Sequence, residues 1–147
     1  MDLLWILLAA VAGGCIAVQA AANGSLRTNL DDPLWAAFFS ICGTIITAVA
    51  VMAAIRPPWP AAGGIRSAPW WNWIGGPLGA VIVLAGATLT PKLGSAAFIA
   101  AVVGGQVACS LVIDQFGLLD VPPQAITPGR LLGAALVCVG VLLVKYA

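Results

Sequence analysis

The stretch PLWAAFFSICGTIITAVAVMAAI, running from Pro33 to Ile55, contains no Asp, Glu, Lys, Arg or His. A hydrocarbon core of roughly 30 Å is crossed by about 20 helical residues, and in lipid a lone segment satisfies its backbone hydrogen bonds only as a helix. This run is long enough to span a bilayer. Four comparable stretches lie on either side of it: Leu3 to Ala22, Asn72 to Thr90, Leu93 to Gly117 and Pro128 to Tyr146. Almost every charge is confined to the breaks between them. The pattern predicts an all-α integral membrane protein, one transmembrane domain of five helices over residues 1–147, with its ends on opposite sides.

Composition agrees with that pattern. Of 147 residues, 62% are hydrophobic and 7% charged, where an ordinary soluble domain carries about 25% charged residues. Five helices leave only short connections, too little chain for a separate soluble domain. A net charge of +1 without any Lys/Arg run argues against nucleic acid as a partner and against a polybasic lipid-binding segment. Lipids, other helices and small solutes are the partners expected. Cys15, Cys42, Cys109 and Cys138 all fall inside proposed spans, far apart and with no histidine to share a metal. They read as free thiols, and no cofactor or metal is expected.

Helix punctuation sets the boundaries. Asp32-Pro33 and Thr127-Pro128 each place a capping oxygen before a proline that loses nothing at the first helical position, and Thr90-Pro91 offers the same signal. Arg56-Pro57-Pro58-Trp59-Pro60 stops the second helix, and Ala61 to Ala68 reads as a loop. Trp59, Trp70, Trp71 and Trp73 bracket that loop at headgroup depth, where indole rings are favoured, with an aromatic binding site as the sharper alternative. Ala20-Ala21-Ala22 resembles a signal cleavage site, but Asp2 stands where a basic region is expected, so the first stretch is kept as a helix.

Small residues at four-residue spacing are the expected packing signal between membrane helices. They occur at Ala9, Gly13, Ala17 and Ala21, at Gly75 and Gly79, at Ala97, Ala101 and Gly105, and at Gly129 and Gly133. Polar residues are more telling, because against lipid they are costly and they usually face a neighbour or a wet cavity. Gln19 and Asn23 on the first helix, Ser40 and Thr44 on the second, and Gln106 and Ser110 on the fourth each repeat at helical spacing, so each set shares a face. These six are the candidate substrate-binding residues; for Ser40 and Thr44, simple bonding between helices is the plainer account. Asp114 is the only acid inside a span. It suits a proton-coupling group, or an ion pair with Arg130 at the start of the fifth helix.

The charge pattern also bears on orientation. Arg56, Arg66 and Arg130 lie on the side of the amino terminus, and Arg27, Lys92 and Lys145 on the other. Since the Lys/Arg excess in short loops fixes orientation, a tie leaves insertion in both senses open. Two oppositely inserted copies would rebuild the inverted repeat of many transporters, with a solute site near the midplane. A single orientation set by a partner protein is the alternative.

Gln19-x-x-x-Asn23, Pro69-Trp70-Trp71 with Trp73-Ile74-Gly75-Gly76, Pro91-x-Leu93-Gly94, Gly105-Gln106, Asp114-x-Phe116-Gly117 and Arg130-x-x-Gly133 together resemble the five-helix YdcZ-type branch of the drug/metabolite transporter superfamily. The resemblance covers nearly the whole chain and keeps the order of its elements. It implies a half-transporter unit in the bacterial inner membrane, two units forming one transporter as in the related small multidrug resistance proteins. Two positions depart from the pattern. The branch often has histidine after the helix-four aspartate, where this chain has Gln115; the small multidrug resistance proteins use a first-helix glutamate, where this chain, which lacks Glu altogether, has Gln19. The expectation is a secondary transporter, an exporter of a small organic solute, acting by alternating access as an antiparallel or dual-topology homodimer. A non-transporting scaffold or accessory subunit of another membrane complex is the alternative. No Ser/His, Cys/His or paired-carboxylate set suggests an enzyme.

Overall fold

The computed structural model describes residues 2–147, and every regular element among them is helical: α1 (Asp2–Leu30), α2 (Pro33–Ile55), the short α3 (Ala62–Ser67), α4 (Gly75–Leu93), α5 (Ser95–Phe116) and α6 (Pro128–Tyr146). All but α3 are long and apolar enough to cross a membrane. The five-helix expectation holds.

Two of the proposed caps form as their local chemistry dictates. The Asp32 carboxylate accepts from the Leu34 and Trp35 N–H groups at 2.6 and 3.2 Å, with Pro33 in the first turn. Thr127 Oγ1 accepts from the Arg130 N–H at 3.3 Å, with Pro128 in the first turn of α6.

Three boundaries differ from the sequence reading. The first helix does not stop at Ala22 but runs two further turns to Leu30. Asn23 and Gly24 are buried there, and Thr28 Oγ1 bonds back to the Gly24 carbonyl at 3.1 Å, so tertiary packing carries the helix through a polar stretch. Thr90-Pro91 starts nothing: Pro91 lies in the last turn of α4, where its missing N–H removes one hydrogen bond, and the break comes at Gly94. Gly94 has φ 83° and ψ 152°, a conformation essentially reserved for glycine, and it joins α4 directly to α5. The Ala61 to Ala68 loop contains α3, and Trp70–Trp73 forms a 3-10 turn, so the α-helix begins at Gly75 within an apolar span of Trp70–Leu93.

Helices α1, α2 and α4 pack on one another, while α5 pairs with α6 and joins the group through α4 and α1. The contact between α1 and α4 uses small residues outside the expected stripes, although Ala97 of the α5 stripe is buried. A methyl group at Gly86 would lie 3.5 Å from the Cβ of Ala20, and one at Gly24 would lie 3.4 Å from Thr90 and the Pro91 ring. Ala20-x-x-x-Gly24 on α1 thus meets Gly86-x-x-x-Thr90 on α4, the small-residue register that lets membrane helices come close. Gly13, Gly75, Gly79, Gly105 and Gly133 face open space.

Burial is confined to one end of the bundle. Every buried residue among those described lies in Ala20 to Gly24, Ala36-Ala37, Gly86 to Thr90 or Ala97-Phe98. These are the carboxy-terminal parts of α1 and α4 and the amino-terminal parts of α2 and α5, hence the face opposite the amino terminus. Toward the amino-terminal face, residues 2–16 of α1 and 43–55 of α2 are exposed throughout.

Candidate functional site: a carboxamide-lined cavity

The polar positions that helical spacing placed on α1 and α5 come together. Gln19, Asn23 and Gln106 line one cavity of about 110 Å³ between α1, α4 and α5, with Ile82 and Phe98 among its apolar walls. Gln19 and Asn23 are one turn apart on α1 and share a face, Asn23 buried against α4 and Gln19 exposed at the cavity's edge. The two extra turns of α1 matter here, because they move this pair from a helix end into its interior. Gln106 has about 15 Å of α5 on either side of it, at 1.5 Å per residue, so the cavity runs from the middle of α5 toward Phe98, one turn from its start.

Asn23 is the most constrained of the three. It is 6% exposed, and its Nδ2 is buried without a hydrogen-bond partner. Buried polar groups are nearly always satisfied, so an unpaired amide nitrogen closed off between helices is a site of stored cost. Thr90, 8% exposed, has an equally unpartnered Oγ1 at the α1–α4 contact; the sequence marked it only as a helix cap. No charged side chain lines the cavity.

Ser110 and Arg130 lie elsewhere, in a shallow groove of about 460 Å³ between α5 and α6 whose rim also includes Gln106. Gln106 therefore stands between the two concavities. Ser40 and Thr44 are not in either. Thr44 Oγ1 donates to the Ser40 carbonyl at 3.1 Å, within its own helix, which is how hydroxyl side chains commonly satisfy themselves in a membrane span.

Asp114 and Arg130 form an ion pair, both partly buried. The pair belongs to a larger knot that the sequence did not reveal. Arg130 Nη1 also donates to the carbonyls of Gln124 and Ala125 at 3.2 and 3.5 Å, the Gln124 N–H donates to the Asp114 carbonyl at 2.7 Å, and the Ile126 N–H donates to Gln115 Oε1 at 2.7 Å. The α5–α6 connection is thereby folded back on the end of α5. Gln115, the residue standing where the resemblance led one to look for histidine, serves as a side-chain acceptor for a main-chain N–H. Trp71 Nε1 reaches Asp120 Oδ2 at 3.4 Å, linking this connection to the tryptophan-rich turn before α4. Most of these partners are main-chain atoms, so residue spacing carried no signal for them.

No group of three or more Asp or Cys side chains among the described residues is placed to hold a metal ion. What the site offers is hydrogen bonding in an apolar setting: three carboxamides from two helices, with a salt-bridged knot at the amino-terminal face.

Comparison with known proteins agrees with this architecture. Residues 4–143 match the family described as "Putative inner membrane exporter, YdcZ". No curated protein and no solved structure matches the chain. Five membrane-crossing helices and a match over almost the whole length make this a multi-pass inner-membrane protein, and the chain belongs to the YdcZ branch of the drug/metabolite transporter superfamily.

Proposed function

We propose that the protein is a secondary transporter that exports a small organic solute by alternating access, with the solute site at Gln19, Asn23 and Gln106 and two oppositely inserted copies forming the working unit. The observation that carries this reading is the cavity itself. It runs from the middle of α5 toward Phe98, is lined by three carboxamides, and is bounded on the opposite face by the one tightly packed region of the bundle. A site closed toward one face and uncovered toward the other is the geometry of one access state.

The size of the cavity supports a second copy. About 110 Å³ is well below the roughly 300–1,000 Å³ of pockets for drug-sized ligands. The exposed apolar surface of α1 and α2 toward the amino-terminal face gives an inverted partner room to add walls. Arg56, Arg66 and Arg130 at one face balance Arg27, Lys92 and Lys145 at the other, which leaves both insertions open. The Asp114–Arg130 pair supports a structural assignment for Asp114, with its charge compensated within the chain.

Purified protein in liposomes tests the reading by exchange of labelled solutes across the bilayer. Saturable exchange with at least one uncharged or charged solute class is expected; a folded dimer that exchanges none would make the protein an accessory subunit instead. Reporter fusions at the carboxy terminus test the arrangement, since signal from a single compartment rules out opposite insertion.

A further inference from the structure

The carboxy-terminal end of α2 carries a second concavity, far from the three carboxamides in sequence and lined by different chemistry. We propose that it is a phospholipid site, in which the Arg56 guanidinium holds the phosphate of an anionic glycerophospholipid and the exposed face of α2 carries an acyl chain.

The position follows from helix length. α2 has 23 residues, about 35 Å at 1.5 Å per residue, slightly more than a hydrocarbon core of roughly 30 Å, so Arg56 emerges at headgroup depth. Val49, Met52 and Ala53 of α2, then Arg56, Trp59 and the neighbouring prolines, wall a concavity of about 600 Å³. That volume lies within the roughly 300–1,000 Å³ of small-molecule sites. Ile45, Val49 and Met52 repeat at helical spacing and all are exposed, so an apolar stripe leads from the middle of α2 to the concavity's wall. Trp59, 96% exposed, stands on the same wall, and indole rings are favoured at that depth.

Charge identifies the occupant. Arg56 Nε donates to the Ala53 carbonyl at 3.3 Å, and the Arg56 backbone N–H donates to the Met52 carbonyl at 2.9 Å, so the guanidinium is held against the last turn of α2. Its two Nη groups have no acceptor among the described residues, where the one ion pair is Asp114 with Arg130. From Arg56 to Trp73 the chain has two arginines and no acid, so nothing in the connection itself neutralises Arg56. A guanidinium with a free donor edge matches a phosphate in a paired, charge-assisted contact, and anionic headgroups attract arginine at the surface. The backbone adds a further observation. Arg56 has φ 48° and ψ 54°, the left-handed region in which glycine is the usual residue, so the side chain rather than the backbone accounts for an arginine there. One guanidinium over a shaped apolar wall is a site for one lipid, unlike the polybasic run that the sequence lacks.

Thermal melts of the detergent-solubilised protein test the site with three probes: short-chain phosphatidylglycerol, phosphatidylcholine with the same chains, and inorganic phosphate. Phosphatidylglycerol is expected to raise the melting temperature in a saturable manner, at concentrations about tenfold or more below those phosphatidylcholine needs, and inorganic phosphate is not. Arg56→Asn places a residue that tolerates the left-handed region, so the variant is expected to fold. It is expected to need about tenfold or more phosphatidylglycerol for the same shift, as the loss of one charge-assisted hydrogen bond implies. Arg66→Gln removes the same charge from the same connection but outside the walls of the concavity, and is expected to respond as the wild type does. Equal responses to the two lipids, a response to inorganic phosphate alone, or an undiminished response in folded Arg56→Asn overturns the assignment. So does equal weakening by Arg66→Gln, which would show diffuse charge attraction. Loss of dimer in Arg56→Asn with no lipid response in the wild type also overturns it, and gives the concavity to a second copy.

Discussion

Asn23→Leu should stabilise the protein while removing its function. Asn23 is 6% exposed and its Nδ2 lacks any partner, so the native fold carries a desolvated, unpaired amide. Leaving such a group unsatisfied costs about 1–3 kcal/mol, and leucine has almost the same shape without the polar atoms. The substitution removes that penalty and adds apolar contact with the cavity walls. A gain of about 1–3 kcal/mol, at roughly 2–4 °C per kcal/mol for a chain of this size, gives a melting temperature several degrees higher. Melts of wild-type and variant protein in the same detergent, read by tryptophan fluorescence, measure it. Exchange of solute in liposomes should fall at the same time, the trade expected when a binding group is held unpaired in the resting state. A melting temperature lowered by several degrees would show that the amide is satisfied in the folded protein, and the orphan-donor argument would fail.

Other consequences concern the packing and the knot. Gly24→Ala should be nearly neutral, because the new methyl meets Thr90 and the Pro91 ring at 3.4 Å, whereas Gly24→Leu should force α1 from α4 and destabilise by about 1–3 kcal/mol in the same melts. Gly94→Ala places a side chain at φ 83° and ψ 152° and should cost about 1–3 kcal/mol, since only glycine adopts that backbone readily. Asp114→Asn should lower stability by about 1–3 kcal/mol with solute exchange retained per folded molecule, and Arg130→Gln in the same chain should recover part of the loss. Full stability with abolished exchange in Asp114→Asn would instead assign the carboxylate to coupling.

The parts of this protein that were legible in its sequence are those decided within a turn or two of chain. Asp32-Pro33 and Thr127-Pro128 announce their helices because the cap oxygen, the proline and the N–H groups they serve are neighbours. The pairing of Gln19 with Asn23 followed from helical spacing, and that Gln106 joins them was foreseeable from its place in mid-span. What spacing could not supply was long-range contact. Asn23 to Leu30 looked like a break because it is polar, yet Gly24 pressing on Pro91 keeps it helical. Thr90-Pro91 had the composition of a helix start, but a proline in a last turn forfeits only one hydrogen bond, and Gly94 offered the cheaper place to turn. The small-residue stripes at Gly13, Gly75 and Gly79 were plausible contacts that the folded chain leaves open, while Ala20, Gly24 and Gly86 join α1 to α4 and Gly104 meets Val141 between α5 and α6. Ser40 and Thr44 share a face as expected, and the Thr44 hydroxyl is spent on the Ser40 carbonyl of its own helix.

The central claim is that the space between α1, α4 and α5 is a water-filled route for solute rather than a gap filled by lipid. Val102 lines it, and its neighbour Val103 is exposed on another side of α5. In a background with Cys15, Cys42, Cys109 and Cys138 replaced, a single cysteine at position 102 or 103 can be exposed to a membrane-impermeant thiol reagent in liposomes. The reagent needs thiolate, which forms in water and not in hydrocarbon. The account predicts that Val102→Cys reacts while Val103→Cys stays inert; equal reactivity at both positions, or none at 102, would contradict it.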